Sequence, residues 1–174
     1  MRAVIESIEG EYRRYRALGE GTLDQLDRVQ LCARPTPGSL SVATIVWHIS
    51  GNLESRFTDF LTTDGEKPWR QREEEFAERD VGPEEVRAKW ERGWHVLTAT
   101  LASLEDRHLD DAVTIRGVDF TVSQALHRSL GHTAYHVGQM TYLGKMHAGD
   151  GWTYLSIAPG GTSAYNANPT HEKM

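Results

Sequence analysis

The chain has 174 residues, 39% of them hydrophobic and 25% charged, with a formal net charge of -6, which suits one domain, or one domain with a tail, large enough to bury a real core. Its positive charges lie scattered among a surplus of acids, which argues against a nucleic-acid partner and against an anionic membrane surface, and the single cysteine, Cys32, excludes an intrachain disulfide. No apolar run approaches the ~20 residues that cross a bilayer, and the opening residues lack the basic-then-apolar layout of a signal peptide, so the cytoplasm is the expected location.

Taken in order, the chain opens with apolar residues at helical steps from about Arg2 to Leu31, among them Val4, Ile5, Ile8, Tyr12, Tyr15, Leu18, Leu23, Leu26 and Val29. This predicts one amphipathic helix with a wobble at Gly19–Gly21, closed by Pro35, Pro37 and Gly38. Ser41 is a good N-cap for a second helix running to about Thr62. Its expected buried stripe is Val42, Ile45, Ile49, Leu53, Phe57, Phe60 and Leu61.

Residues 64–82 are charged and irregular, with Trp69 and Phe76 as the only large apolar anchors. An ordered loop pinned by Trp69 is the expectation, because disordered spacers rarely carry such aromatics. A third helix starts at Pro83 and carries Val86, Trp90, Trp94, Leu97, Leu101 and Leu104 at helical spacing. Ala112–Phe120 alternates around Gly117, as a short hairpin or an extended connection would. Thr121 and Gln124 then form a capping-box pair that opens a fourth helix, expected to reach about His147. Gly131, Gly138 and Gly144 lie inside it, each costing roughly 1 kcal/mol relative to alanine; close approach of a neighbouring helix is one reason to tolerate them. After Gly149 the chain turns irregular, yet it holds Trp152, Tyr154, Leu155, Ile157 and Tyr165. The reading is a bundle over residues 1–149 and an irregular tail over 150–174 that packs onto it. Four helices with little strand point to an all-α bundle.

The chemical signal is HTAYH, His132 to His136. Residues four apart on a helix share a face, one turn apart, so both imidazoles can reach one metal ion. The metalloprotease motif of the same spacing carries a glutamate after its first histidine. Thr133 stands there, so peptide hydrolysis by that route is unsupported. His48, inside the second helix in WHISGN, is the best third ligand candidate. Three histidines with an open position are the layout of a catalytic rather than a closed structural site. Asn52, four residues on from His48, shares its face and can bond a ligand or water. The competing reading for each histidine is a hydrogen-bonded core residue, and the residues alone leave both open.

Glu54, Asp59 and Tyr135 are the nearest general-base candidates, none compelling. His95 and His108 read as surface groups, His127 joins the fourth-helix face only awkwardly, and His147 and His171 read as solvated. In the charged loop, Lys67, Trp69, Arg70 and Arg72 place arginine beside an aromatic, an arrangement able to receive a carboxylate; a salt-bridged loop is the blander and favoured reading.

A helix with an internal histidine in WHISGN, followed by one that opens Thr-Val-Ser-Gln and carries HTAYHVGQM, resembles the DinB superfamily of DinB/YfiT-like metalloenzymes, over roughly Glu6 to Lys145. WHISGNLESRFTDFLTTDGEKPWRQREEEF and the tail WTYLSIAPGGTSAYN look like one subgroup of it. The resemblance implies an up-down-down-up four-helix bundle and a metal site of His48, His132 and His136, zinc or nickel being the usual ion. It also implies frequent homodimers and an expression link to stress. Gly138 and Gln139 match the superfamily's Gly-Gln, implying helix packing and support of the ligands. Some relatives use a low-molecular-weight thiol cosubstrate, such as bacillithiol or mycothiol. The expected function is a metal-dependent enzyme acting on a small molecule, a thiol-dependent transferase or hydrolase. The alternative is a non-catalytic metal- or ligand-binding structural bundle.

Overall fold

The computed structural model describes residues 1–170, so His171 and the last residues of the tail lie outside the described residues. The first helix, α1 (Ala3–Leu23), buries Ile5, Ile8, Tyr12, Thr22 and Leu23. Its free N-terminal amides are satisfied from a distant segment: Asp106 Oδ1 accepts from Val4 N at 3.2 Å and Ile5 N at 3.1 Å. The sequence predicts one helix to Leu31, but the chain breaks after Leu23 and restarts as α2 (Arg28–Cys32). The break has a local cause. The Asp27 carboxylate accepts from Gln30 N at 2.9 Å while Gln30 Oε1 accepts from Asp27 N at 3.0 Å, a capping box that starts a new helix in a new direction. Val29 consequently leaves the stripe and is 77% exposed.

The third helix, α3 (Val42–Phe57), starts at Ser41, whose Oγ accepts from Thr44 N at 3.1 Å. It is buried along most of its length. It stops short of the expected Thr62 because Thr58 turns to an extended conformation, ψ 125°, and Asp59 then takes a left-handed one, φ 48°. Phe60 still reaches the core from the turn that follows, whereas Leu61 does not, being 40% exposed. The loop beyond carries a 3-10 turn at Arg72–Phe76 that packs on α3. Trp69 is 53% exposed and does not pin this loop. The pins are polar: Lys67 Nζ donates to Thr63 Oγ1 at 2.6 Å, Ser55 Oγ donates to Gly65 O at 2.6 Å, and Arg70 is buried against Glu75.

Pro83 occupies the first turn of α4 (Pro83–Ser103), which buries Val86, Trp90, Trp94, Leu97 and Leu101. This helix lies so close on α3 that a Cβ added at Gly93 would stand 2.6 Å from Ser50 Cα. The connection before the last helix is a hairpin. Strand β1 (Ala112–Ile115) pairs antiparallel with β2 (Val118–Thr121), Ile115 opposite Val118. Its two-residue turn, Arg116 and Gly117, has φ of 55° and 71°, the mirror-image turn whose twist matches the strands. Asp64 holds it from the loop, accepting from Arg116 N at 2.9 Å and Gly117 N at 2.8 Å.

The last long helix, α5 (Val122–Ala148), begins with the reciprocal Thr121–Gln124 capping box, at 3.1 and 2.9 Å. Of its inner glycines only Gly144 is closely approached, by Thr22 and Trp152; Gly131 and Gly138 have open space beside them. In the tail, Trp152 lies against Gly144 and Leu155 against Gly21, Thr153 exchanges hydrogen bonds with Gln25, and a short α6 (Thr162–Ala167) follows. The long helices pack α3 on α4, α1 on α5, α3 on α5 and α1 on α4 around one core. The molecule is thus predominantly helical with one two-stranded sheet, consistent with an all-α bundle. No helix among the described residues is long and apolar enough to cross a membrane.

Candidate metal centre

His48 sits in the middle of α3, on the side that faces α5. Thr133 and Val137 anchor α5 in the core, and this rotation turns His132 and His136 toward α3. The three rings converge. Their centroids are 5.1 Å (His48–His132), 4.8 Å (His48–His136) and 4.6 Å (His132–His136) apart, each pair edge to face. One ring nitrogen from each lies within 4.8 Å of the other two.

The far nitrogens decide which atoms are offered. His48 Nδ1 lies 2.9 Å from Glu75 Oε2, and His136 Nδ1 lies 2.8 Å from Gln139 Oε1. Both partners are acceptors, so Nδ1 carries the proton and Nε2 presents its lone pair to the centre. Glu75 is itself gripped by Arg70, Nε to Oε1 at 2.7 Å and Nη2 to Oε2 at 2.9 Å. The Arg70 side chain is only 2% exposed. Gly51 makes this approach possible: a Cβ there would stand 2.8 Å from Glu75 Cδ. Phe76 closes the same side, its ring 4.7 Å from that of His48.

Electrostatics keep His132 and His136 neutral. Burial, then the neighbouring His136 and His48 and the charges of Arg70 and Arg56, push the His132 pKa down to about 3. Burial and His48 lower that of His136 against the opposing pull of Gln139. For Glu75, burial pushes the pKa up, but hydrogen bonds from His48 and Arg70 outweigh it and the net shift is downward. The result is two uncharged imidazoles, His132 and His136, beside a His48 ring that is backed by a carboxylate.

This donor set fits a transition metal. Two nitrogens each about 2.0–2.1 Å from one tetrahedral ion stand about 3.3 Å apart, and His48 Nε2 and His132 Nε2 are 3.2 Å apart. A carboxylate or amide oxygen on the outer nitrogen is the usual way to fix a ligand's tautomer.

His48 and His132 border a cavity of about 380 Å³. His48, Asn52 and Arg56 line it from α3, and His132, Ser129 and Arg128 from α5. Arg70 and Arg72 enter from the loop and Ile115 and Arg116 from the hairpin, while Phe57, Phe60 and Ala125 form an apolar wall. Burial lowers the Arg56 pKa and the charges of Arg70 and Arg116 add to it, against the pull of Glu66.

Of the residues singled out in the sequence, His48, His132 and His136 meet, Asn52 lines the cavity, Gln139 accepts from His136, and Arg70 holds Glu75. Trp69 stays outside the cavity, and Lys67 turns into its own loop. Glu54 is tied to Lys89 Nζ at 2.6 Å, Tyr135 is 63% exposed, and Asp59 is not part of the lining. His95 and His127 are exposed, and His108 Nδ1 accepts from Glu105 N at 3.0 Å. His147, read as solvated, is half-buried, with its Nε2 shut away from water. Glu75 and Gly51 escaped sequence reasoning, and so did Arg56, Arg116 and Arg128. Arg56 is eight residues on from His48 and Arg128 four before His132, so helical periodicity was a usable signal for those two. For Glu75, one of three consecutive glutamates in a loop, there was none.

No curated protein matches the chain. Among solved structures it is similar to the crystal structure of the conserved protein of locus from Enterococcus faecalis, with a TM-score of 0.63 and 19% identity, over 86% of this chain and 99% of that one. At that identity the likeness speaks for the fold alone. Residues 2–161 match the family described as "Protein of unknown function (DUF1572)", and the chain belongs to that family.

Proposed function

We propose that this chain is a metal-dependent enzyme acting on a small molecule, with zinc or nickel held by His48, His132 and His136. The observation that carries the reading is the convergence of three imidazoles, His48 and His132 of them lining an open cavity and two with Nδ1 already held by an acceptor. Such an ion, when bound, supplies a positive charge that lowers the pKa of a coordinated water or thiol and polarises an oxygen. The chain's own residues do the rest. Glu75 and Gln139 fix the rings, Arg70 fixes Glu75, and Phe57, Phe60 and Ala125 provide the apolar wall beside the reacting end. Asn52, one turn from His48, is positioned to orient a substrate or water.

The DinB-like up-down-down-up arrangement, a homodimer, a cytoplasmic setting, a role under stress and a low-molecular-weight thiol cosubstrate belong to the same proposal and follow from the resemblance. Thiol transfer and thiol-assisted hydrolysis are the reactions that fit it, because a thiolate is the reactive form and a cation stabilises it. A closed structural site would bury all three ligands, whereas His132 opens onto the cavity, which favours catalysis over the structural alternative.

Elemental analysis of untagged protein, beside a variant with all three histidines replaced by alanine, is the primary test. About one zinc or nickel per chain, lost in the variant, supports the proposal; a metal-free protein that takes up neither ion overturns it. Thiol-dependent turnover of electrophiles that vanishes in His132→Ala separates enzyme from structural bundle.

A further inference from the structure

The chain is acidic overall, yet the cavity above the histidines is lined by Arg56, Arg70, Arg72, Arg116 and Arg128, and by no aspartate or glutamate among the described residues. The placement is orderly. On α3 the residues His48, Asn52 and Arg56 follow at intervals of four, and on α5 so do His136, His132 and Arg128. Residues at that spacing stack on one helix face, about 6 Å apart along the axis. Both ladders therefore start at the histidines and end in an arginine at the same cavity.

The local acids cancel only part of this charge. Glu75 is consumed by Arg70 and His48. Glu66 serves both Arg56, at 3.1 Å, and Arg116 Nε, at 2.9 Å. Arg72 has only the exposed Glu73, 2.9 Å away, and lies over the Phe76 ring. Arg128 makes no ion pair among the described residues; its guanidinium lies 5.8 Å from the Phe120 ring centroid. Five guanidinium groups thus share three carboxylates, and the net positive charge left on the wall is self-repelling and weakens the fold. A cavity that keeps it has a use for an anion.

We infer that the cavity takes a small organic oxyanion, a carboxylate or phosphate ester, with its charged end on Arg128, Arg72 and the unpaired Nη groups of Arg116, and its reacting end toward the histidines. The guanidinium fork fits either group. Phe57, Phe60 and Ile115 accommodate a short carbon skeleton between the two ends, and the cavity volume lies at the small end of ligand pockets. This inference rests on the metal-enzyme reading for the role of the histidine end but not for the binding of the anion.

The test is calorimetric titration of succinate, its neutral analogue succinamide, and inorganic phosphate into the protein as purified, at low and high salt. Succinate or phosphate should bind at least about tenfold more tightly than succinamide, in the range that charged hydrogen bonds supply, and should weaken with salt. The tighter of the two anions tells carboxylate from phosphoryl recognition. Arg128→Gln and Arg72→Gln, both at exposed positions, should weaken the anion about fivefold or more, while the distant Arg107→Gln leaves it unchanged. Equal binding of succinate and succinamide, no binding of either anion, or wild-type affinity in folded Arg128→Gln and Arg72→Gln overturns the inference. Metal content measured on the same samples keeps the two proposals apart: anion binding without metal sinks only the metal, and metal without anion binding sinks only the anion.

Discussion

Glu75 and His48 are 27 residues apart in the chain and 2.9 Å apart in space, joined by a buried hydrogen bond that also recruits Arg70. The pair converts an ordinary core histidine into an oriented base, because the carboxylate holds the Nδ1 proton and leaves Nε2 to the centre. Glu75→Gln keeps an oxygen for His48 but strands the Arg70 charge in the interior. The expected outcome is a loss of about 3 kcal/mol of stability and a metal affinity reduced about 10- to 100-fold, read by denaturant melts and by competition with a chelator. Wild-type metal affinity in this variant would show that the carboxylate does not tune the ligand.

Gly51 and Gly131 form a matched pair of helical glycines. A Cβ at Gly51 runs into the Glu75 carboxylate, whereas one at Gly131 meets nothing within 4 Å. Gly51→Ala should destabilise the protein by about 1–3 kcal/mol through overpacking and weaken metal binding along with it. Gly131→Ala should instead stabilise by up to about 1 kcal/mol, the helix-propensity difference. Thermal melts of the two variants decide it; similar shifts in both would mean that Glu75 yields freely.

Burial makes the metal-free protein sensitive to mild acid. The folded chain holds His132 neutral down to about pH 3, against an ordinary value of 6.5, and lowers His136 in the same sense. Between those limits the unfolded chain binds more protons, so stability is complete above about pH 6.5 and falls as the pH drops. The Glu75 contribution, also from a lowered pKa, is lost only below its ordinary 4.5. Comparing denaturant midpoints of metal-free protein at pH 7.5 and pH 5.5 therefore isolates the histidines. The midpoint should be lower at pH 5.5, and His132→Ala should flatten the difference; an unchanged slope in that variant would refute the assignment.

What could be read from the sequence follows the periodic elements. The stripe of α4, most of that of α3, and the Ser41 and Thr121 caps come from rules of local spacing, and those rules hold in the structure. His48, His132 and His136 were legible because regular helices bring them to one level of the core. The break at Asp27 was misread although its capping box is written in the sequence, because apolar spacing through Leu26 and Val29 masked it. The contributions of the 58–82 loop were not legible. Loops have no period, so nothing in REEEF says that the third glutamate rather than the first or second turns inward. Trp69, the conspicuous aromatic, was the wrong anchor; the loop is held instead by polar bonds whose partners only the fold supplies.

Asp64 links that loop to the hairpin, and through it to the cavity. Its carboxylate accepts from Gly117 N and Arg116 N across the turn and from Glu66 N, bonds that lower its pKa, and Arg116 in turn reaches Glu66. Arg116 occupies a left-handed conformation that a non-glycine residue adopts only when held there. Asp64→Ala removes the acceptors and should cost about 1 kcal/mol of stability, with amide exchange accelerating at Arg116 and Gly117 but not in α3. Because the change frees the Arg116 side chain from its fixed place on the cavity wall, any anion bound there should also weaken, though less than in Arg128→Gln. Unchanged exchange at the turn would mean that the hairpin holds its shape without the loop, and that Arg116 is placed by the strands alone.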